Sequence, residues 1–231
     1  MLKRVFAAGL VAGFAAGLVM TMMHVLRIDP LIAKAEVYEE AAVQTHAAAI
    51  PHDHATASAE WEPQGWQRPA FTVLANLIIG AGFGLMLCGA FALRQARSGK
   101  GTDWREGLLW GIAGFAAFAL APAAGLPPVP PGMPGAGILA RQAWWLSTAV
   151  ATAGGLAFLV FAPRALWRIV GAVLIILPHL VGAPLAPPGI DAVPAGLAAE
   201  FVAASLAGAA LFWLTLGGVG GWLYGALGPS D

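Results

Sequence analysis

Charge is scarce in this chain: Lys, Arg, Asp and Glu together make up 10% of its 231 residues, against 59% hydrophobic residues. So little polar surface cannot coat a water-soluble globule of this size, and the solvent for most of the chain is therefore lipid. Cysteine is nearly missing as well. Cys88 stands alone, so no internal disulfide can form and no redox compartment can be read from it. Catalytic signatures are absent too: there is no Gly-x-Ser-x-Gly, no His-Glu-x-x-His and no Cys-x-x-Cys. The nearest approach to a phosphate-binding loop, Ser98-Gly99-Lys100-Gly101-Thr102, lacks the earlier glycine and the Ser or Thr directly after lysine. It reads as a basic turn, and neither ATP-driven work nor an enzymatic role is expected of the chain.

Long apolar runs are what the chain has instead. A bilayer core of roughly 30 Å takes about 20 apolar residues per helix. Six windows meet that test: Val5 to Leu26, Ala70 to Leu93, Glu106 to Pro122, Ala143 to Ala162, Trp167 to Val181 and Gly196 to Ala226. Thirty glycines and seventeen prolines suit this solvent, in which small residues let helix backbones approach and proline is tolerated inside bundles. The pattern predicts an all-α fold, a polytopic membrane helix bundle of about six transmembrane helices making a single transmembrane domain over residues 1–231. Gly9, Gly13 and Gly17 share one stripe of the first window, which Met20 and His24 continue at helical steps. That stripe is expected to face other helices.

Basic residues collect in cytoplasmic loops and so set orientation. With the N-terminus in the cytoplasm, the inner side carries Lys3, Arg4, Arg94, Arg97, Lys100, Arg105, Arg164 and Arg168 against three acids, a formal +5. The outer side carries Arg27, Lys34, Arg68 and Arg141 against nine carboxylates, a formal −5. Overall neutrality conceals this polarity, and a carboxylate-rich outer face concentrates cations ahead of any specific binding. The lipid bilayer is the expected partner and nucleic acid is not. Lys3 and Arg4 before an apolar run, with Ala33-Lys34-Ala35 beyond it, also fit a secretory signal. The 22-residue run exceeds the roughly 7–15 residues of a signal core, so residues 1–35 are expected to be retained.

Residues 27–69 are expected to form an outer loop. Its first part, Pro30 to Gln44, is patterned for a short interfacial helix. Its middle holds His46, His52, Asp53 and His54, followed by Trp61 and Trp66, aromatics suited to the membrane surface. A second irregular stretch, 123–142, contains Gly125-Leu126-Pro127-Pro128 and Pro130-Pro131-Gly132-Met133-Pro134 and cannot be helical throughout.

Charged groups at mid-bilayer cost about 2.5–3.5 kcal/mol each, so polar residues at depth call for a partner or a function. His24 closes the first window, His179 follows Pro178 at the outward end of the fifth, and Glu200 stands in the first turns of the sixth. By topology alone these three share one depth. Imidazole and carboxylate suit divalent first-row metals such as cobalt, nickel or zinc without choosing among them. Glu36 and Glu39 after the first window, and His52 and His54 in the loop, complete the candidate metal ligands. The bland alternatives are a dipole-favoured acid at a helix start for Glu200, structural hydrogen bonds for His24 and His179, and a solvated loop for His52 and His54. Thr72, Asn76, Thr148 and Thr152 are expected to supply hydrogen bonds between helices. No catalytic group and no resident cofactor are expected.

A series of motifs carries a family likeness. Pro30-Leu31-Ile32, Ala35-Glu36-Val37-Tyr38-Glu39 and Arg68-Pro69-Ala70-Phe71-Thr72 open it. Gly111-Ile112-Ala113-Gly114-Phe115, Leu120-Ala121-Pro122, Pro131-Gly132-Met133 and Arg141-Gln142-Ala143-Trp144-Trp145 follow. Pro178-His179-Leu180-Val181-Gly182-Ala183-Pro184 and Glu200-Phe201-Val202-Ala203-Ala204-Ser205 close it. In this order the motifs resemble the CbtA family of predicted cobalt transporter subunits over nearly the whole chain. The resemblance implies import of cobalt(II) for cobalamin synthesis across a bacterial inner membrane. It also implies a small CbtB-like partner with one membrane helix and a histidine-rich end. It further implies five membrane helices, one fewer than the six windows here. A non-transporting scaffold or assembly subunit of a metal-uptake complex is the other reading the sequence allows.

Cysteines introduced at Gly99 and Gly101 should react with an impermeant thiol reagent only from the cytoplasm, and one at Ser58 only from outside. Reaction of the Ser58 variant from the cytoplasm would overturn the orientation.

Overall fold

Proline and glycine decide where these helices bend and where they touch. The computed structural model describes residues 1–49, 65–187 and 192–228, with the side chains of 45–49 excluded. Within them the chain is helical, without a strand. α1 (Leu2–Met23) runs through a π-helical turn, His24–Ile28, directly into α2 (Asp29–Ala49). α3 spans Gln67–Ser98, and α4 (Trp104–Phe115) passes through a second π turn, Ala116–Leu120, into α5 (Ala121–Gly125). α6 (Ile138–Phe161), α7 (Ala165–Val181) and α8 (Ala195–Ala226) complete the order.

Both π turns end one residue before an x-Pro step, at Asp29-Pro30 and Ala121-Pro122. Proline has no N–H and its ring collides with the carbonyl four residues back. Widening the preceding turn moves that carbonyl away, and Asp29 and Ala121 donate instead five residues back, to the carbonyls of His24 and Ala116. Helicity therefore survives both prolines.

Five helical stretches are long and apolar enough to cross a membrane: Leu2–Gln44, Gln67–Ser98, Trp104–Gly125, Ile138–Phe161 and Ala195–Ala226. α7, with 17 residues, is the shorter sixth apolar helix and reaches about 25 Å, the low end of a span. The chain is a multi-pass membrane protein with the expected all-helical bundle. One expectation changes in form. The helix expected over Pro30 to Gln44 is present, but it continues from α1 without a break and runs on to Ala49. The 43 residues of Leu2–Gln44 extend about 65 Å, roughly twice a hydrocarbon core, so the charged half of this helix stands beyond the apolar layer.

Helix pairs meet through their backbones. A Cβ at Gly17 of α1 would lie 2.7 Å from the Asn76 carbonyl oxygen of α3, and one at Gly9 would lie 2.9 Å from that of Gly84. Gly13 and Gly80 leave still less room for each other. α4 and α8 repeat the device with Gly107 against Gly217, and α6 and α7 with Gly155 against Gly171, where a Cβ would stand 2.6 Å from the facing carbonyl oxygen. Asn76 then donates to the Thr21 hydroxyl at 3.2 Å, the expected bond between helices. Such close pairs gain dispersion contact that lipid-solvated helices otherwise lack.

The core formed by α1, α3, α4 and α8 is filled with aromatic rings. Phe118 stacks on Trp213 at 5.4 Å between centroids, and Phe83 stands edge-on to Trp213 at 4.9 Å. Towards the N-terminal end of α1, Phe91 packs against both Trp110 and Tyr224. At that same end Arg4 donates to the Tyr224 carbonyl and, at 3.1 Å, to Gln95 Oε1, which also accepts from the Tyr224 hydroxyl at 3.0 Å. Arg94 forks onto Glu106 at 2.6 and 2.7 Å across the α3–α4 turn. Asp103 caps α4 by accepting from the Glu106 N–H at 2.8 Å. The basic turn read from the sequence is therefore a defined connection, with Gly99 at φ +70° closing α3.

Gly13→Leu should cost more than the about 1–3 kcal/mol of an overfilled core, because the backbone of α3 must retreat. Gly82→Leu, where a Cβ meets nothing within 4 Å, should be tolerated. Thermal midpoints of the purified proteins check this; an unchanged midpoint for Gly13→Leu would remove the close α1–α3 contact.

Candidate functional site

The polar candidates His24, His179 and Glu200 are placed by three different elements. His24 opens the first π turn and is partly buried, with its side chain 23% exposed and Nδ1 3.3 Å from Asp29 Oδ1. In an α-helix, residues five apart diverge around the axis; a π turn holds more residues per turn and brings them closer to eclipse. The proline-driven turn thus sets a carboxylate beside the imidazole. With the proton on Nδ1 shared with Asp29, Nε2 keeps its lone pair for an incoming cation, the arrangement by which carboxylates orient metal-binding histidines. Asp29 was not among the ligands picked from the sequence, since a five-residue spacing carries no signal on a regular helix. The signal that could have found it is the proline at position 30.

The other candidates stand apart from that pair. Glu36 on α2 accepts from Arg68 at the start of α3, with Nη1 to Oε2 at 3.3 Å and Nη2 to Oε1 closer. Its charge ties two elements together. Glu39 is exposed, and its Cβ lies 3.0 Å from where a Gly132 Cβ would be, so the Gly-Pro loop rests against α2 at a glycine with φ +78°. His179 is exposed on α7 and meets Trp144 of α6 edge-on at 6.0 Å. α7 packs on α6 and makes no extensive contact with α1 or α8. Glu200 is exposed at the start of α8, and the neighbouring Phe201 takes the inward position, against Ile28 and Leu31. Glu200 shares a cleft with Arg27 and Lys34. His52 and His54 lie outside the described residues, as does the His46 side chain.

His24, His179 and Glu200 are therefore at one end of the bundle but not in one cluster. Among the described residues no three His, Cys, Asp or Glu side chains are grouped as a metal cage. Three of the expected inter-helix bonds are not formed among the described residues: the Thr72 hydroxyl donates to the Arg68 carbonyl within α3 at 3.1 Å, and the Thr148 and Thr152 hydroxyls, 0% and 3% exposed, find no partner. Trp144 Nε1, one turn before Thr148, is likewise buried without one.

His24 with Asp29 offers a divalent ion one imidazole nitrogen backed by a carboxylate, leaving its remaining positions to water or other donors. A single oriented donor suits capture and release better than permanent retention. A family model described as "Probable cobalt transporter subunit (CbtA)" matches residues 2–225. No curated protein and no solved structure matches the chain.

Proposed function

The chain belongs to the CbtA family of probable cobalt transporter subunits, and from that premise we propose that it carries cobalt(II) inward across a bacterial inner membrane for cobalamin synthesis. The observation that carries the site assignment is the His24–Asp29 pair at the outer end of α1. The acidic outer face raises the local cation concentration, and His24 Nε2 takes the ion. Glu39 and the loop histidines His52 and His54 extend the catchment, and His179 offers a second imidazole on the α6–α7 hairpin. Glu200 faces two basic residues, which oppose a divalent cation there. A small single-helix, histidine-rich subunit completes the set of donors.

One observation favours the alternative of a scaffold subunit. Rings of Phe83, Phe118 and Trp213 pack together in the α1–α3–α4–α8 core, so a route for the ion would lie beside that core or be completed by the partner.

Cobalt uptake into vesicles holding the purified chain, with and without the small partner, separates the two readings. Uptake dependent on this chain's His24 supports carriage; uptake unaffected by His24→Ala supports the scaffold. Asp29→Asn should raise the cobalt concentration for half-maximal uptake about 10-fold, as loss of a carboxylate behind a metal-binding histidine does, with the maximal rate kept. Parental kinetics for both variants at normal membrane abundance would remove the site.

A further inference from the structure

The cleft between the outer part of α1–α2 and the start of α8 holds three charges that the fold leaves unused. It encloses about 510 Å³ and is edged by Arg27, Lys34 and Glu200, with Met23, Ala203 and Ala207 among its apolar walls. Among the described residues, none of these three charged side chains has an ion-pair or hydrogen-bond partner, and although they border one cleft they do not pair with each other. On an outer face dominated by carboxylates, two free cations at one spot are out of pattern. Arg68, the other basic residue nearby, is already held by Glu36.

The cleft is graded along the helix axis. Met23 and Ala207 lie at its apolar end, beside the contact of Gly208 with Met20 and Met23. Arg27 stands one turn farther out and Lys34 about two turns beyond that, so the change from apolar to charged takes about 16 Å. Small side chains at Ala203 and Ala207, both exposed, keep the apolar end open. A phospholipid presents the same gradient in the same direction, with acyl carbon below and a phosphodiester above. Arginine and lysine supply charge-assisted donors to phosphate oxygens, and basic pockets between membrane helices hold lipid headgroups by this chemistry.

We propose that this cleft is a phospholipid site in which Arg27 and Lys34 hold the phosphodiester and Glu200 accepts a hydrogen bond from the headgroup beyond it. The first acyl carbons lie against Met23, Ala203 and Ala207. Ethanolamine and glycerol headgroups carry N–H or O–H donors for Glu200, whereas the trimethylammonium of choline carries none. The site therefore prefers the first two. The occupant is a lipid and not free phosphate because most of the cleft lining is apolar and would gain nothing from a small anion.

Native mass spectrometry of the full chain with defined phosphatidylethanolamine, phosphatidylglycerol and phosphatidylcholine tests the site without reference to cobalt, so its outcome is independent of the transport reading. Retention of the first two lipids should exceed that of the third. The double change Arg27→Gln with Lys34→Gln should lower retention about tenfold or more, as lost charge-assisted bonds do. Glu200→Ala should erase the preference against choline. Ala207→Leu should lower retention with every charge in place, which also covers the case in which the double variant fails to fold. Three results would overturn the site: equal retention by a folded double variant, displacement of lipid by millimolar inorganic phosphate, or capture of a partner helix in place of lipid by a photo-crosslinker at Ala203.

Discussion

Contact between glycine backbones is the interaction on which the bundle rests. In lipid, apolar side chains gain little by leaving their solvent for one another, so helices must find dispersion contact and backbone proximity that lipid tails cannot supply. Gly9, Gly13 and Gly17 against Gly80 and Gly84 give α1 and α3 that contact, and Gly107 against Gly217 gives it to α4 and α8. Once those pairs are set, the aromatic rings of Phe83, Phe118 and Trp213 have one shared space to fill. The polar latch of Arg4, Gln95 and Tyr224 joins α1, α3 and α8 beyond those contacts, at the N-terminal end of α1.

Much of the fold was legible because glycine spacing and apolar length are local properties. All six apolar windows coincide with helices, and the stripe from Gly9 to Gly17 does face another helix. Less legible was the course of the chain after Arg27. Proline at position 30 reads as a break, yet the π turn lets the helix pass through it, and the same happens at Pro122. The turn also changes which residues share a face. His24, partly buried at the end of the regular helix, meets Asp29, a residue that regular helical spacing gives no reason to choose.

The candidate site was legible as a set of residue types and not as an arrangement. Topology assigns His24, His179 and Glu200 to one end, but depth says nothing about azimuth. His179 belongs to a hairpin that packs on α6, and Glu200 turns away from the core because Phe201 beside it has more apolar surface to bury. The basic neighbours of Glu200 were visible as letters seven residues apart, Arg27 and Lys34, but only the approach of α8 makes them neighbours of that carboxylate.

The pairing of α4 with α8 sets an order of assembly in time. α1 can find α3, and α6 can find α7, soon after each second member is made. α4 cannot do the same, because the helix that matches Gly107 and Gly111 begins at Ala195. At about 5–20 residues per second, ribosomes need roughly 5–20 s to synthesise the intervening stretch of about 100 residues. During that interval the glycine face of α4 is solvated by lipid or shielded by the insertion machinery, and the aromatic interior stays open on one side. Completion of the last helix is therefore the event that closes the core, and the N-terminal Arg4 waits for nearly the whole chain before Tyr224 arrives to receive it.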